Sequence, residues 1–296
     1  MNTHPSLSGR ALVLGGGGST GNAWLIGVIA GLRDGGLDAT TAEVIVGTSA
    51  GSTAAAQITG ADPTELYAAT LTPPPAQVGS PFASARNRPA VDHLARTDAI
   101  IAASADADDM RRGMAASALA LDASSDETVQ ARWRATVAAR LPRTGWPAQR
   151  VLITAVDART AEPVMFDRDS GVELVDAVAA SCAGGFAYRI GDDAFIDGGY
   201  RSNADNADLA SGCERVLVLS PFGGRTRLPL TWGLDLATQL EQLRAEGSVV
   251  EAIFPDANAE HLFGGNAMNA ALRPDAARAG YAQGRERAEQ LAGLWG

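Results

Sequence analysis

Glu43-Val44-Ile45-Val46-Gly47-Thr48-Ser49-Ala50-Gly51 is the stretch whose reading decides the fold. A β-rich run stops abruptly at Gly47, and the small residues from Ala50 to Thr59 then have helical character. Upstream, Ala11-Leu12-Val13-Leu14 reads as a short buried strand and Gly15 to Gly18 as a loop. An apolar-periodic helix follows from about Asn22 to Arg33, closed by Asp34-Gly35-Gly36. Two strands separated by a helix of about a dozen residues make a right-handed crossover, so the sheet begins as a parallel α/β sheet. The loops at its strand ends are where function is expected.

Outward from this unit, Pro73-Pro74-Pro75, Pro81 and Pro89 crowd the chain between Leu71 and Val91, which predicts a surface loop or cap. Residues Asp98 to Arg140 have the character of outer helices, with Trp133 and Val137 at helical spacing. The β signal returns at Val151–Val156 and Val164–Phe166, and a helix follows near Leu174 to Ala180. Gly191-Asp192-Asp193 predicts a hairpin turn between Ala187–Ile190 and Ala194–Ile196. Arg215–Leu219 reads as another buried strand, and Ala276 to Leu291 as a terminal amphipathic helix. With no linker and no internal repeat, residues 1–296 read as one domain.

Composition removes several classes of function. The chain has 296 residues, 46% of them hydrophobic, and 34 acidic against 24 basic side chains leave a net charge of −10. Every basic residue is Arg, which excludes a Schiff-base enzyme and a lysine-bearing phosphate loop, since both need a primary ammonium. The acidic balance opposes long-range attraction to nucleic acid or anionic headgroups, and no nucleic-acid partner is expected. No apolar run reaches the ~18 residues that span a bilayer, so any lipid contact is expected to be peripheral and transient. Cys182 and Cys213 are the two cysteines, and the start Met1-Asn2-Thr3-His4-Pro5 lacks a secretory pattern, which predicts a reducing cytoplasm and two small buried hydrophobes.

Three glycine-marked sites carry chemistry. In Gly47-Thr48-Ser49-Ala50-Gly51 the serine stands between strand and helix, where a tight turn lifts its hydroxyl into open space as a nucleophile. The competing reading is a helix N-cap. Gly15-Gly16-Gly17-Gly18-Ser19-Thr20-Gly21 offers only backbone amides, which bind anions. Gly16, Gly18 and Gly21 also fit the dinucleotide pattern, but that fold wants an acid at the end of the second strand, where this chain has Gly47-Thr48-Ser49. The amides of Gly16, Gly17 and Gly18 are better placed to stabilise an oxyanion made by attack of Ser49.

A serine also needs a base. The histidines are His4, His93 and His261; the order Ser49, Asp197, His261 matches a hydrolase triad, yet too few strands precede Ser49 for that fold. Asp197-Gly198-Gly199 follows the strand Ala194-Phe195-Ile196 and supplies a carboxylate at a strand end, a general base if burial raises its proton affinity, or else a turn cap.

Gly16–Gly21, Gly47–Gly51 and Asp197–Gly199 in this order resemble the patatin-like phospholipases. The likeness extends to Ala180-Ser181-Cys182-Ala183 and Arg201-Ser202-Asn203 and spans roughly residues 10 to 220, with a strand and helices in 221–296 completing the domain. It implies a three-layer α/β/α sandwich with a mainly parallel central sheet, and hydrolysis of acyl-lipid esters without metal or organic cofactor. It also implies Ser49 as nucleophile, Asp197 as general base and Gly16, Gly17 and Gly18 as oxyanion hole. Two positions depart from the pattern: Thr20 stands where many members carry Arg or Lys, and Gly184-Gly185-Phe186 where many have a proline-containing loop. The missing cation favours a modest carboxyl ester over an anionic phospholipid as substrate. The open alternatives are a Ser49-Asp197-His261 triad esterase and a non-catalytic nucleotide- or phosphate-binding protein.

Overall fold

Strand β1 (Arg10–Leu14) lies inside a parallel set, with β2 (Val44–Gly47) on one side and β7 (Arg215–Leu219) on the other. In the computed structural model, which describes residues 8–72 and 90–295, β3 (Arg150–Asp157) continues the set beyond β2 and β8 (Val249–Ile253) beyond β7. The Pro73–Pro89 stretch lies outside the described residues. Antiparallel pairs join β3 to β4 (Pro163–Phe166) and to β6 (Asp193–Asp197), and β6 forms a hairpin with β5 (Tyr188–Ile190). The result is an eight-stranded, mostly parallel sheet among the described residues.

The central strands read as unbroken apolar runs because both of their faces are covered. Leu12, Leu14, Leu217 and Leu219 point into one core with α1 (Gly18–Asp34), α2 (Ala50–Ile58), α7 (Leu174–Ser181) and α9 (Arg273–Trp295). Ala11, Val13, Val216 and Val218 point into the other, against Leu236, Leu240 and Leu243 of α8 (Leu236–Ala245). This alternation makes the α/β/α layering. Cys213 is buried in the second core, and both cysteines are free.

Helix α1 starts at Gly18, four residues before the expected Asn22, because the glycine loop feeds straight into its first turn. It meets α9 backbone to backbone. A Cβ on Gly27 would overlap the Ala277 carbonyl oxygen, and one on Gly280 would overlap that of Trp24. The expected outer helices are α4 (Ala90–Ala103), α5 (Ala107–Leu119) and α6 (Glu127–Ala138). On α6, Trp133 and Val137 are buried as their spacing predicts, and Trp133 Nε1 donates to the Ala179 carbonyl at 3.0 Å. Helix α3 (Pro63–Leu71), which pattern reading passed over, carries a recognisable start: Asp62 caps it by accepting from Thr64 N–H at 2.8 Å, and proline follows. No helix among the described residues is long and apolar enough to cross a membrane.

The long strand β3 sets the position of the site. Ile153 pairs with Gly47 of β2 and with Phe166 of β4, so these two strands flank opposite edges of β3. Two residues on, Ala155 pairs with Val164 of β4 and with Asp197 of β6, so β6 shares the edge that β2 occupies. Strands β2 and β6 thus run head-on along one edge of β3. Their ends, carrying Ser49 and Asp197, face each other across the gap at Thr154.

Candidate active site

Ser49 has φ 52° and ψ −113°, a left-handed conformation that costs a side-chain-bearing residue of order 1–3 kcal/mol. Its surroundings hold it there. The Ser49 N–H donates to Ser181 Oγ at 2.9 Å, and its carbonyl accepts from Ser52 Oγ at 2.6 Å and from Cys182 Sγ at 3.1 Å. The flanking glycines are required by space: a Cβ on Gly51 would overlap the Leu14 carbonyl oxygen, and one on Gly47 would sit 2.7 Å from Ser52 Cα. Burial pushes the Cys182 thiol above its ordinary range, so it serves as a neutral S–H donor. The Ser49 side chain makes no N-cap bond to α2; its hydroxyl lies on the Asp197 side of the turn, close enough to lower that carboxyl's proton affinity.

Asp197 ends β6 with its carboxyl enclosed by protein, although the residue keeps some solvent contact. Burial pushes this carboxyl up to about 6; the hydrogen bond from the Gly199 N–H, 2.8 Å from Oδ1, and the nearby Ser49 hydroxyl hold it down from a still higher value. The Gly184–Phe186 departure flanks it directly: a Cβ on Gly184 would lie 3.6 Å from Asp197 Oδ2, and the Gly184 carbonyl accepts from Tyr200 Oη at 3.1 Å. Phe186 is buried edge-on against Trp133.

The glycine loop lies alongside the serine, since a Cβ on Gly16 would be 3.6 Å from Ser49 Cβ. Gly16 donates its N–H to the Ala204 carbonyl at 2.7 Å, and Gly15 donates to that of Leu219 at 3.0 Å. The N–H groups of Gly17 and Gly18 donate to no backbone acceptor outside helices and strands among the described residues. Thr20 is fully buried, and both its N–H, at 3.0 Å, and its hydroxyl, at 3.4 Å, donate to the Ala267 carbonyl. The same turn brings Met268, 77% exposed, against Gly18. A long cationic side chain at position 20 would displace this turn.

The histidines stand apart. His261 is exposed on a short turn and His93 is half-buried on α4, where Arg96 Nη2 lies 3.3 Å from its Nδ1. Burial, Arg96 and Arg227 push His93 below its ordinary value. Neither is hydrogen-bonded to Ser49 or Asp197 among the described residues, and His4 lies outside them. Glu43, the acid nearest a ribose-binding role, is paired with Arg10 at 3.0 Å and held at about 2, chiefly by that guanidinium's hydrogen bond. No group of three or more potential metal ligands occurs among the described residues.

Sequence reading missed Asp205. It is buried, Oδ1 has no hydrogen-bond partner among the described residues, and a Cβ on Gly15 would overlap that oxygen. Burial pushes its carboxyl up to about 7, against a lowering influence of the nearby Ser220 hydroxyl. No local pattern marks it, because its environment is made by strands β1 and β7.

Fold and site together describe an α/β/α protein with an elbow serine facing a buried carboxylate. The chain belongs to the patatin-like phospholipase family, whose model matches residues 12–210. Among solved structures it is similar to VipD from Legionella pneumophila, with 13% identity and a TM-score of 0.42, covering 97% of this chain and 67% of that one. It is also similar to the type III effector protein ExoU, with 12% identity and a TM-score of 0.33, covering 95% of this chain and 54% of that one. No curated protein matches the sequence at a significant level.

Proposed function

We propose that the protein is a serine hydrolase that cleaves carboxyl esters of acyl lipids through an acyl-enzyme on Ser49. One arrangement carries the reading: a serine in a strained left-handed turn stands beside a buried carboxyl whose proton affinity burial raises to about 6 and the serine hydroxyl draws down. Asp197 takes the hydroxyl proton as Ser49 Oγ attacks the acyl carbonyl. The oxyanion that forms meets the N–H groups of Gly17 and Gly18, supported by the positive end of α1, while Gly16 fixes the loop through Ala204. Protonated Asp197 returns the proton to the departing alcohol. Water then attacks the acyl-serine with Asp197 again as base, releasing the fatty acid. These steps use side chains, amides and water alone.

The substrate is read as a neutral or weakly charged acyl ester, because position 20 is filled by Thr20 and buried under Ala267. The test is labelling by a fluorophosphonate, which reacts with an activated serine, together with turnover of p-nitrophenyl butyrate. Wild type should label and turn over, and Ser49→Ala should do neither while keeping its circular dichroism spectrum. A variant that labels as fast as wild type overturns the proposal.

A further inference from the structure

We propose that Asn206 is a positioning residue that locks the Ser49 and Asp197 strand ends together through one buried carboxamide; this rests on reading those two residues as the reactive pair. The need for such a part follows from the sheet. Strands β2 and β6 meet head-on along β3, so no ladder of hydrogen bonds runs between them, and their separation could drift at the gap.

Asn206 bridges that gap. It is fully buried and left-handed, with φ 54° and ψ 43°. Its Nδ2 donates to Thr48 Oγ1 at 2.9 Å, one residue before the nucleophile, and to the Gly198 carbonyl at 3.0 Å, one residue after the base. Its Oδ1 accepts from Ser202 Oγ at 2.8 Å and from Arg201 Nη1 at 3.1 Å, which fills all four hydrogen-bonding positions of the carboxamide. Asn203 Oδ1 holds the backbone by accepting the N–H groups of Asp205 and Asn206 at 2.7 and 2.8 Å.

The far end is equally fixed. Thr48 Oγ1 also accepts from Thr154 Oγ1 at 2.9 Å, and the Thr48 N–H donates to the Leu14 carbonyl at 3.1 Å, where the glycine loop begins. One side chain therefore ties the nucleophile's turn to the base's turn, and Thr48 ties both to the loop. A carboxamide is needed because two donors and two acceptors must come from one planar group. Aspartate has the same shape and neither donor.

The experiment compares Asn206→Asp, Thr48→Val, Thr48→Ser and the double variant Asn206→Asp/Thr48→Val. Turnover of p-nitrophenyl butyrate is expressed per site titrated with fluorophosphonate, so that unfolded protein is not counted. Displacing reacting groups by about 1 Å costs on the order of 10²-fold, so kcat of Asn206→Asp and of Thr48→Val should fall by that order, with KM within about threefold of wild type. Thr48→Ser keeps the hydroxyl and should recover most of the loss. The double variant should lose little more than either single one, because both break the same link. If Asn206→Asp yields no titratable protein, the Thr48→Val and Thr48→Ser pair decides.

A wild type that labels at Ser49, with kcat per titrated site unaltered in Asn206→Asp and Thr48→Val, overturns the Asn206 proposal alone. A wild type that does not label overturns the reactive pair, and the positioning role with it.

Discussion

Acidification should switch off the reactivity of Ser49 well above the pH at which an ordinary aspartate loses its charge. Burial raises the Asp197 carboxyl from 3.8 to about 6, and it can accept the serine proton only when ionised. With a midpoint near 6, Asp197 is ionised in about 91% of molecules at pH 7 and about 9% at pH 5. An aspartate at the ordinary value would remain about 94% ionised at pH 5. The second-order rate of fluorophosphonate labelling should therefore drop roughly tenfold between pH 7 and pH 5. Labelling is the right assay because it reports attack by the serine and leaves out the later hydrolysis step. Asp205, raised to about 7, is the other carboxyl that could produce such a limb. Asp205→Asn should leave the midpoint near 6, whereas Asp197→Asn should lower the rate by ~10²–10⁴ across the range. A rate that stays flat down to pH 4.5, or a midpoint that vanishes with Asp205, refutes the assignment.

Three further outcomes follow from the same geometry. Ser49→Gly should be more stable in urea than Ser49→Ala by about 1 kcal/mol, since only glycine relaxes at φ 52°; equal stabilities would show that the turn stores no strain. Gly18→Ala places a Cβ 2.7 Å from the Ala267 carbonyl oxygen at φ +65°, and kcat should fall by ~10²–10³ with the circular dichroism spectrum retained; normal turnover would remove the loop from the oxyanion role. Asp205 binds its proton more tightly in the folded chain than in the unfolded one, so wild-type stability should fall as pH rises from 4 through about 7 and then level off. Asp205→Asn should remove the fall above about pH 6, leaving the one that Asp197 makes below it, and gain up to roughly 4 kcal/mol at pH 8 in denaturant melts; a loss of stability there would count against the burial argument.

Much of the fold is legible in local chemistry. The turn around Ser49 announces itself because Gly47 and Gly51 are forced by contacts with residues close in sequence or on the neighbouring strand. The strands Arg215–Leu219 and Arg150–Asp157 announce themselves by β-rich apolar composition. The approach of Asp197 to Ser49 is another matter: it depends on β3 outrunning β2 so that β6 can share its edge, and no local pattern encodes that register. The same holds for Gly16, whose amide is taken by Ala204, and for Thr20, which docks a turn 247 residues away. Asn206 and Asp205 read as loop residues until the chain closes around them.

Because α1 and α9 touch main chain to main chain, the glycine loop is mounted on the end of a stiff two-helix beam. Bulky acyl groups cannot gain room by tilting that beam. Room has to come from the opposite side, where the Ala267–Met268 turn leans on Gly18 and is moored by Thr20. Selectivity for chain length should accordingly be sought by varying residues 264–269, outside every motif that defines the family.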